Sequence, residues 1–150
     1  MRICAIALLC SVAAVPAIAQ SPHSAATVKW GPGPAFLPAG ARFAVLQGDP
    51  SKSGEYTIRL KLPTHYTFRP HFHPTDEHVT VLSGIFLVGM GDTMGVRRTQ
   101  RLTAGGFITA PADAHHFAYT RAPTILQING EGPFALTYVK SADDPRNAKP

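Results

Sequence analysis

Cysteine is nearly missing from this chain: two occur, Cys4 and Cys10, and none follows position 10. That excludes a disulfide framework and thiolate chemistry from everything downstream, so any metal site there must use imidazole and carboxylate. Charge is also sparse. Charged residues make up 15% of the chain against 45% hydrophobic ones, so it can bury a core and is not disordered by composition. Basic residues exceed acidic ones, for a net charge of +5, but they are scattered, and only Arg97, Arg98 and Arg101 approach a cluster. The dense basic stripe with interleaved aromatics that marks nucleic-acid binders is absent, so no nucleic-acid partner is expected and the excess reads as solvated surface. No window of helical length keeps a 3.6-residue apolar period free of Gly or Pro, which argues against a helical domain.

One long apolar run exists, Ile3 to Val15, and it holds no charge. Arg2 precedes it, and Ala17-Ile18-Ala19 follows as a small-x-small pattern. Residues 1–19 therefore resemble a general secretory signal peptide, cut ahead of Gln20. The run is too short for a spanning helix, and no second candidate span exists. Cys10 is not read as a lipid-anchored residue, because Leu9 rather than a small residue precedes it. There is no twin arginine, so export before folding is expected, to the periplasm or the medium, with no membrane contact after processing.

The 150 residues amount to one domain. Residues 20–41 read as an irregular N-terminal arm rich in Ala, Gly and Pro, with Trp30 and Phe36 available to pin it to the domain or to a second subunit. From there to residue 140, short apolar runs alternate with turn clusters. Tyr56, Ile58, Leu60 and Leu62 alternate with polar neighbours, the period-2 mark of a half-buried strand. Further strands are expected at 42–47, 67–71, 77–82, 85–90, 107–109, 116–120, 124–128 and 134–140. Such a rhythm implies an all-β sandwich or closed barrel. Residues 141–150 form a polar tail expected to fray.

The sharpest chemical feature is His71-Phe-His73-Pro-Thr-Asp-Glu77. Residues i and i+2 of a strand face one side, so His71 and His73 can share an ion. In a straight strand Glu77 would lie about 13 Å from His73, so the chain must turn between them, and Pro74-Thr75-Asp76 suits a turn. His116 begins its own strand after the turn Pro111-Ala-Asp-Ala114 and is the candidate fourth ligand. His78 and His115 neighbour these residues but have the opposite strand parity. His23 and His65 read as ordinary surface or turn histidines.

At these residues the chain resembles the cupin superfamily. In the first cupin motif, G-x5-H-x-H-x3,4-E-x6-G, the last four fixed positions are His71, His73, Glu77 and Gly84, and His65 replaces the leading glycine. In the second, G-x5-P-x-G-x2-H-x3-N, Gly105, Pro111 and His116 match, while Asp113 and Thr120 replace the second glycine and the asparagine. The segment from Pro74 to Gly84 is also similar to small single-domain bacterial cupins. The resemblance covers residues 65–120. It implies a double-stranded β-helix, or jelly-roll, barrel over residues 42–140, and one divalent metal ion on His71, His73, Glu77 and His116. A homodimer is also implied, as in many small cupins.

Three imidazoles and a carboxylate suit Mn, Fe, Ni, Co, Cu or Zn and leave one or two positions for water or substrate. Strand parity places Val79, Val81, Ala118 and Thr120 on the ligand faces, with Phe68 and Phe86 at the mouth. Gln127, between Leu126 and Ile128, is either an outer support or substrate contact of the site or a backbone partner at the rim. By residue type Tyr66, Tyr119 and Glu131 are the candidate acid–base groups, and none stands out. Three functions are open: a metal-dependent enzyme on a small oxygenated or aromatic compound, a non-catalytic binder or sensor of a small ligand or of the metal, and a structural module with a vestigial site. The resemblance does not choose, because one fold hosts many chemistries.

Overall fold

The computed structural model describes residues 23–148, so the expected signal segment lies outside the described residues. Among these residues eleven strands follow one another: β1 (Gly31–Pro32), β2 (Arg42–Gln47), β3 (Gly54–Leu62), β4 (Thr67–Phe72), β5 (Glu77–Ser83), β6 (Ile85–Met90), β7 (Gln100–Thr103), β8 (Phe107–Ala110), β9 (His116–Thr120), β10 (Thr124–Gly132) and β11 (Thr137–Tyr138). They form two antiparallel sheets, ordered β1-β2-β3-β10-β5-β8 and β11-β4-β9-β6-β7. No α-helix occurs among the described residues, and none of their helical turns is long and apolar enough to cross a membrane. The all-β jelly roll expected of a cupin barrel is the fold found.

The core lies between the sheets. On β3 the inward row is Tyr56, Ile58, Leu60 and Leu62, and its neighbour β10 in the same sheet extends that face with Leu126 and Ile128. Each such side chain contributes about 1.5–3 kcal/mol on leaving water. Strand β10 pairs with β3 on one side and β5 on the other. That central position carries its ladder through Gly130 and Gly132, past the expected stop at Ile128. The expected strand over 134–140 contracts to Thr137–Tyr138, because Phe134 and Leu136 turn into the core instead. Strands β1 and β7 were not anticipated. The tail forms two 3-10 turns, Ser141–Asp143 and Pro145–Asn147, the second capped by Asp144 accepting from the Arg146 N–H.

The motif departures are explained by backbone conformation. Gly84 and Gly105 have φ of +89° and +83°, and the two positions where the motif glycine is replaced, His65 and Asp113, have φ of 62° and 59°. These are the left-handed turns that favour glycine, kept here by side chains that tolerate them at some cost. Thr120, in place of the motif asparagine, is buried. Its hydroxyl donates to the Pro63 carbonyl (2.6 Å) and accepts from the Tyr66 N–H (2.9 Å), so it braces the turn before β4.

Candidate metal centre

His71 lies near the end of β4, and His73 just beyond it. A bulge reaches them. Phe68 pairs with Ala118 but His71 with His116, so β4 spends one residue more than β9 over this stretch. Pro70, which has no N–H to donate, sits in that interval, where a proline is tolerated. The extra residue brings Phe68 and His71 to the same interior despite their odd spacing. His116 opens β9 beside them. Glu77 opens β5 in the opposite sheet, so the turn 74–76 carries the chain across the barrel. Asp76 accepts from the Ala112 N–H (2.8 Å), and the Asp113 N–H donates to the His73 carbonyl (2.9 Å). The two turns that precede the candidate ligands Glu77 and His116 are thereby stitched together.

His71, His73, Glu77 and His116 are 3%, 4%, 8% and 4% exposed. Nitrogens of the three histidines lie within 4.8 Å of one another. Each ring is held from behind: Nδ1 of His71 donates to the Arg69 carbonyl (2.7 Å), that of His73 to Ala135 (2.7 Å), and that of His116 to Ala114 (2.9 Å). A carbonyl can only accept, so Nδ1 carries the hydrogen in all three, and the neutral rings keep their lone pairs on Nε2.

This arrangement calls for a cation. Nε2 of His73 is buried without a hydrogen-bond partner and stands 3.4 Å from Oε2 of Glu77. Two acceptors face each other there, which is costly unless a proton or a metal ion joins them. Three buried imidazoles this close could hold a metal ion, and the donor set fits a divalent one. Without a metal, the carboxylate favours a proton on His73. Burial opposes charging His73, but the Glu77 carboxylate overrides it and raises the His73 pKa. Burial likewise opposes the Glu77 charge, yet the imidazoles, His73 first, hold its pKa well below the carboxylate range. Burial, then the nearby His116 and His73, pushes His71 down to about 3, and burial lowers His116.

The cavity in front of these groups has a volume of about 30 Å³, room for one or two water molecules. Its other lining residues are apolar, among them Leu37, Phe68, Val79, Phe86, Leu126, Ile128 and Phe134. The expected walls Val79 and Ala118 line it, as do the buried Phe68 and Phe86, while Val81 and Thr120 are buried away from it. Gln127 is neither an outer support of the site nor a rim backbone partner. It points outward and accepts from Arg59 Nε and Nη2 (3.1 and 3.0 Å), since alternation gives the interior to Leu126 and Ile128. His78 bonds Thr109 (3.0 Å) and stacks near Phe107, and His115 bonds Asp92 (2.5 Å). Both lie off the cavity. Tyr66, Tyr119 and Glu131 also do not line it.

Two contributors were missed from sequence. Leu37 of the arm is buried and lines the cavity. Tyr56, Gly130 and Glu77 form one cross-strand row. The Tyr56 ring tip lies over Gly130, where an added Cβ would sit 2.7 Å from its hydroxyl. Burial first, then the charge of Glu77, raises the Tyr56 pKa, so the hydroxyl stays protonated near the carboxylate.

Solved structures with this fold include the polyketide cyclase RemF of Streptomyces resistomycificus, at 18% identity, covering 84% of this chain and 89% of that one, with a TM-score of 0.63. A candidate acetylacetone dioxygenase of Methylibium petroleiphilum is 22% identical, covers 85% and 86%, and has a TM-score of 0.62. An RmlC-like cupin of Shewanella frigidimarina is 16% identical, covers 73% and 87%, and has a TM-score of 0.57. At such identities the likeness establishes the fold. No curated protein matches in sequence. Residues 21–135 match the ChrR cupin-like domain. The chain therefore belongs to the ChrR cupin-like family, a small-domain branch of the cupin superfamily.

Proposed function

We propose that this chain is an exported metalloenzyme whose single divalent ion is held by His71, His73, Glu77 and His116 and which acts on a small oxygenated or aromatic compound. The observation that carries the reading is the set of three clustered imidazoles anchored through Nδ1, with Nε2 of His73 unpartnered beside Glu77. A divalent ion held by these residues would supply Lewis acidity. The protein's own residues fix the donors, exclude bulk water with an apolar wall, and hold the Tyr56 hydroxyl near Glu77. Among the described residues, the four candidate ligands are the titratable side chains that line the cavity, so the wall offers no separate acid or base. The named activities of the structural neighbours, a polyketide cyclase and a candidate dioxygenase, support small-molecule chemistry in this barrel without selecting a reaction.

A second reading, a non-catalytic binder or sensor of the metal or a small ligand, is favoured by one observation: the cavity admits little beyond water. Metal analysis of purified protein and of single variants tests the centre. His71→Ala, His73→Ala and His116→Ala should each lower affinity by more than the roughly 10–100-fold that outer contacts cost. His78→Ala and His115→Ala should leave metal content unchanged. Full occupancy after changing both His71 and His116 would refute the centre. Turnover of diketones or catechols by the loaded protein separates enzyme from binder.

A further inference from the structure

We infer that Leu37, at the tip of the Gly33–Ala41 loop, sets the size of ligand that reaches the His71–His73–Glu77–His116 centre, and that anything larger than about two waters enters only when this loop lifts. The inference rests on the proposed metal centre and names the gate and the ligand class that go with it.

Most of the cavity wall is strand, and strands cannot retreat without breaking ladders. Leu60, Phe68, Val79, Phe86, Ile108, Ala118 and Leu126 all sit on paired strands. Outside the ladders stand Leu37, Phe134 and Leu136. The 134–136 segment cannot move freely either. Its Ala135 carbonyl holds His73, the Phe134 ring stacks at 6.3 Å on the His73 imidazole, and the Phe134 N–H donates to Pro50 (2.8 Å). Displacing it would undo a ligand.

The Leu37 loop is fastened differently. Its neck closes on itself through Gly33 N–H to the Ala41 carbonyl (3.1 Å), and Leu37 N–H bonds Pro34 (2.9 Å). These bonds travel with the loop. Among the described residues it is tied to the barrel by two side-chain hydrogen bonds, Tyr66 Oη to the Pro38 carbonyl (2.5 Å) and Tyr138 Oη to the Phe36 carbonyl (2.9 Å). Apolar packing adds to them: Leu37 sits in the cavity wall, and Phe36 meets Phe134 edge-on at 5.5 Å. Pro34 and Pro38 flank the tip and stiffen it, so it can lift as a unit with both carbonyls turning to water. It is the part of the wall whose opening leaves all four candidate ligands in place.

The wall also names the ligand. Within the cavity the polar side chains are the four candidate metal ligands, and the rest is hydrocarbon. A ligand must therefore bring its oxygen donors to the ion and present an apolar body to Leu37, Phe134 and Leu126. Catechols and β-diketones have that form, whereas sugars, with hydroxyls all round, would bury unpaired polar groups.

Leu37→Ala tests this, because deleting a buried leucine side chain from an apolar wall can leave space for a benzene-sized guest. In Co(II)-loaded full-length protein, azide should bind wild type and Leu37→Ala within about threefold, read from the cobalt spectrum. Catechol should bind Leu37→Ala at least tenfold more tightly, with Leu37→Val between. Equal catechol affinity in wild type and Leu37→Ala would overturn the gate. Failure of wild type to retain Co(II) in dialysis would instead overturn the metal centre. The gate is then read without metal, by NMR of benzene binding. Benzene should bind Leu37→Ala and not wild type, and binding to both or to neither counts against Leu37.

Discussion

Acidifying the metal-free protein should destabilise it well above the pH at which ordinary carboxylates titrate. The cause is His71, whose pKa falls from about 6.5 in an unfolded chain to about 3 in the buried triad. Between those values the unfolded state binds a proton that the folded state does not, so stability rises with pH across the window and falls on acidification. From pH 7.5 to 4.5 His71 alone costs about 3 kcal/mol. His116, also lowered, adds in the same direction. Glu77, held low, contributes stability above the unfolded carboxylate range that is lost as pH falls toward its folded value. His73 opposes them: its raised pKa gives stability present below about pH 6.5 and lost as pH rises through the folded value. The sum favours neutral pH. For a domain of this size the His71 share corresponds to a Tm about 10 °C lower at pH 4.5. The assay is thermal unfolding of chelator-treated protein from pH 7.5 to 4.5, beside His71→Gln, which cannot titrate. The variant should lose about one proton's worth of slope. Adding metal at 100 times its Kd should add about 2.7 kcal/mol at neutral pH and progressively less in acid, where protons compete for the imidazoles. A flat profile in wild type, or an undiminished slope in His71→Gln, would refute the assignment of that slope to the triad.

Gly130→Ala should cost about 1–3 kcal/mol by overpacking against the Tyr56 ring, and Tyr56→Phe should recover part of that loss in a double-mutant cycle read by urea unfolding. His65→Gly and Asp113→Gly should be neutral or stabilising by up to about 1 kcal/mol, since they relieve left-handed backbone. Gly84→Ala should be severely destabilising in the same melts, because its φ is +89° and its Cβ would meet the Pro123 carbonyl oxygen. Export predicts a mature N-terminus at Gln20, checked by N-terminal sequencing, and retention of Met1 in cytoplasmic protein would sink it. A homodimer mass by light scattering, lost when residues 21–40 are deleted, is expected if the arm joins subunits, and an unchanged mass would count against that role.

The chain by itself determined the local pattern of candidate donors. The His-x-His pair, the Pro74–Asp76 turn and Glu77, and the second turn before His116 are short-range patterns, and each reads from backbone periodicity alone. Strands such as β2, β6 and β9 were legible to the residue because their alternation is bounded by Gly, Pro or a ligand turn. The opposite parity of His78 and His115 agrees with their place outside the cavity. What parity could not supply was its own interruption. The bulge between Phe68 and His71 turns residues of odd spacing to one face, and only the pairing with β9 fixes where the extra residue falls. The length of β10 depended on having β3 and β5 on either side, which lets hydrogen bonding override the glycines that mark a stop in isolation. Leu37 and Phe134 lie nearly a hundred residues apart, and the packing that brings both to one cavity comes from closing two sheets over a shared core. The choice of candidate ligands is a property of neighbouring residues. The size and access of the space in front of the ligands are properties of distant ones, and only tertiary packing brings those together.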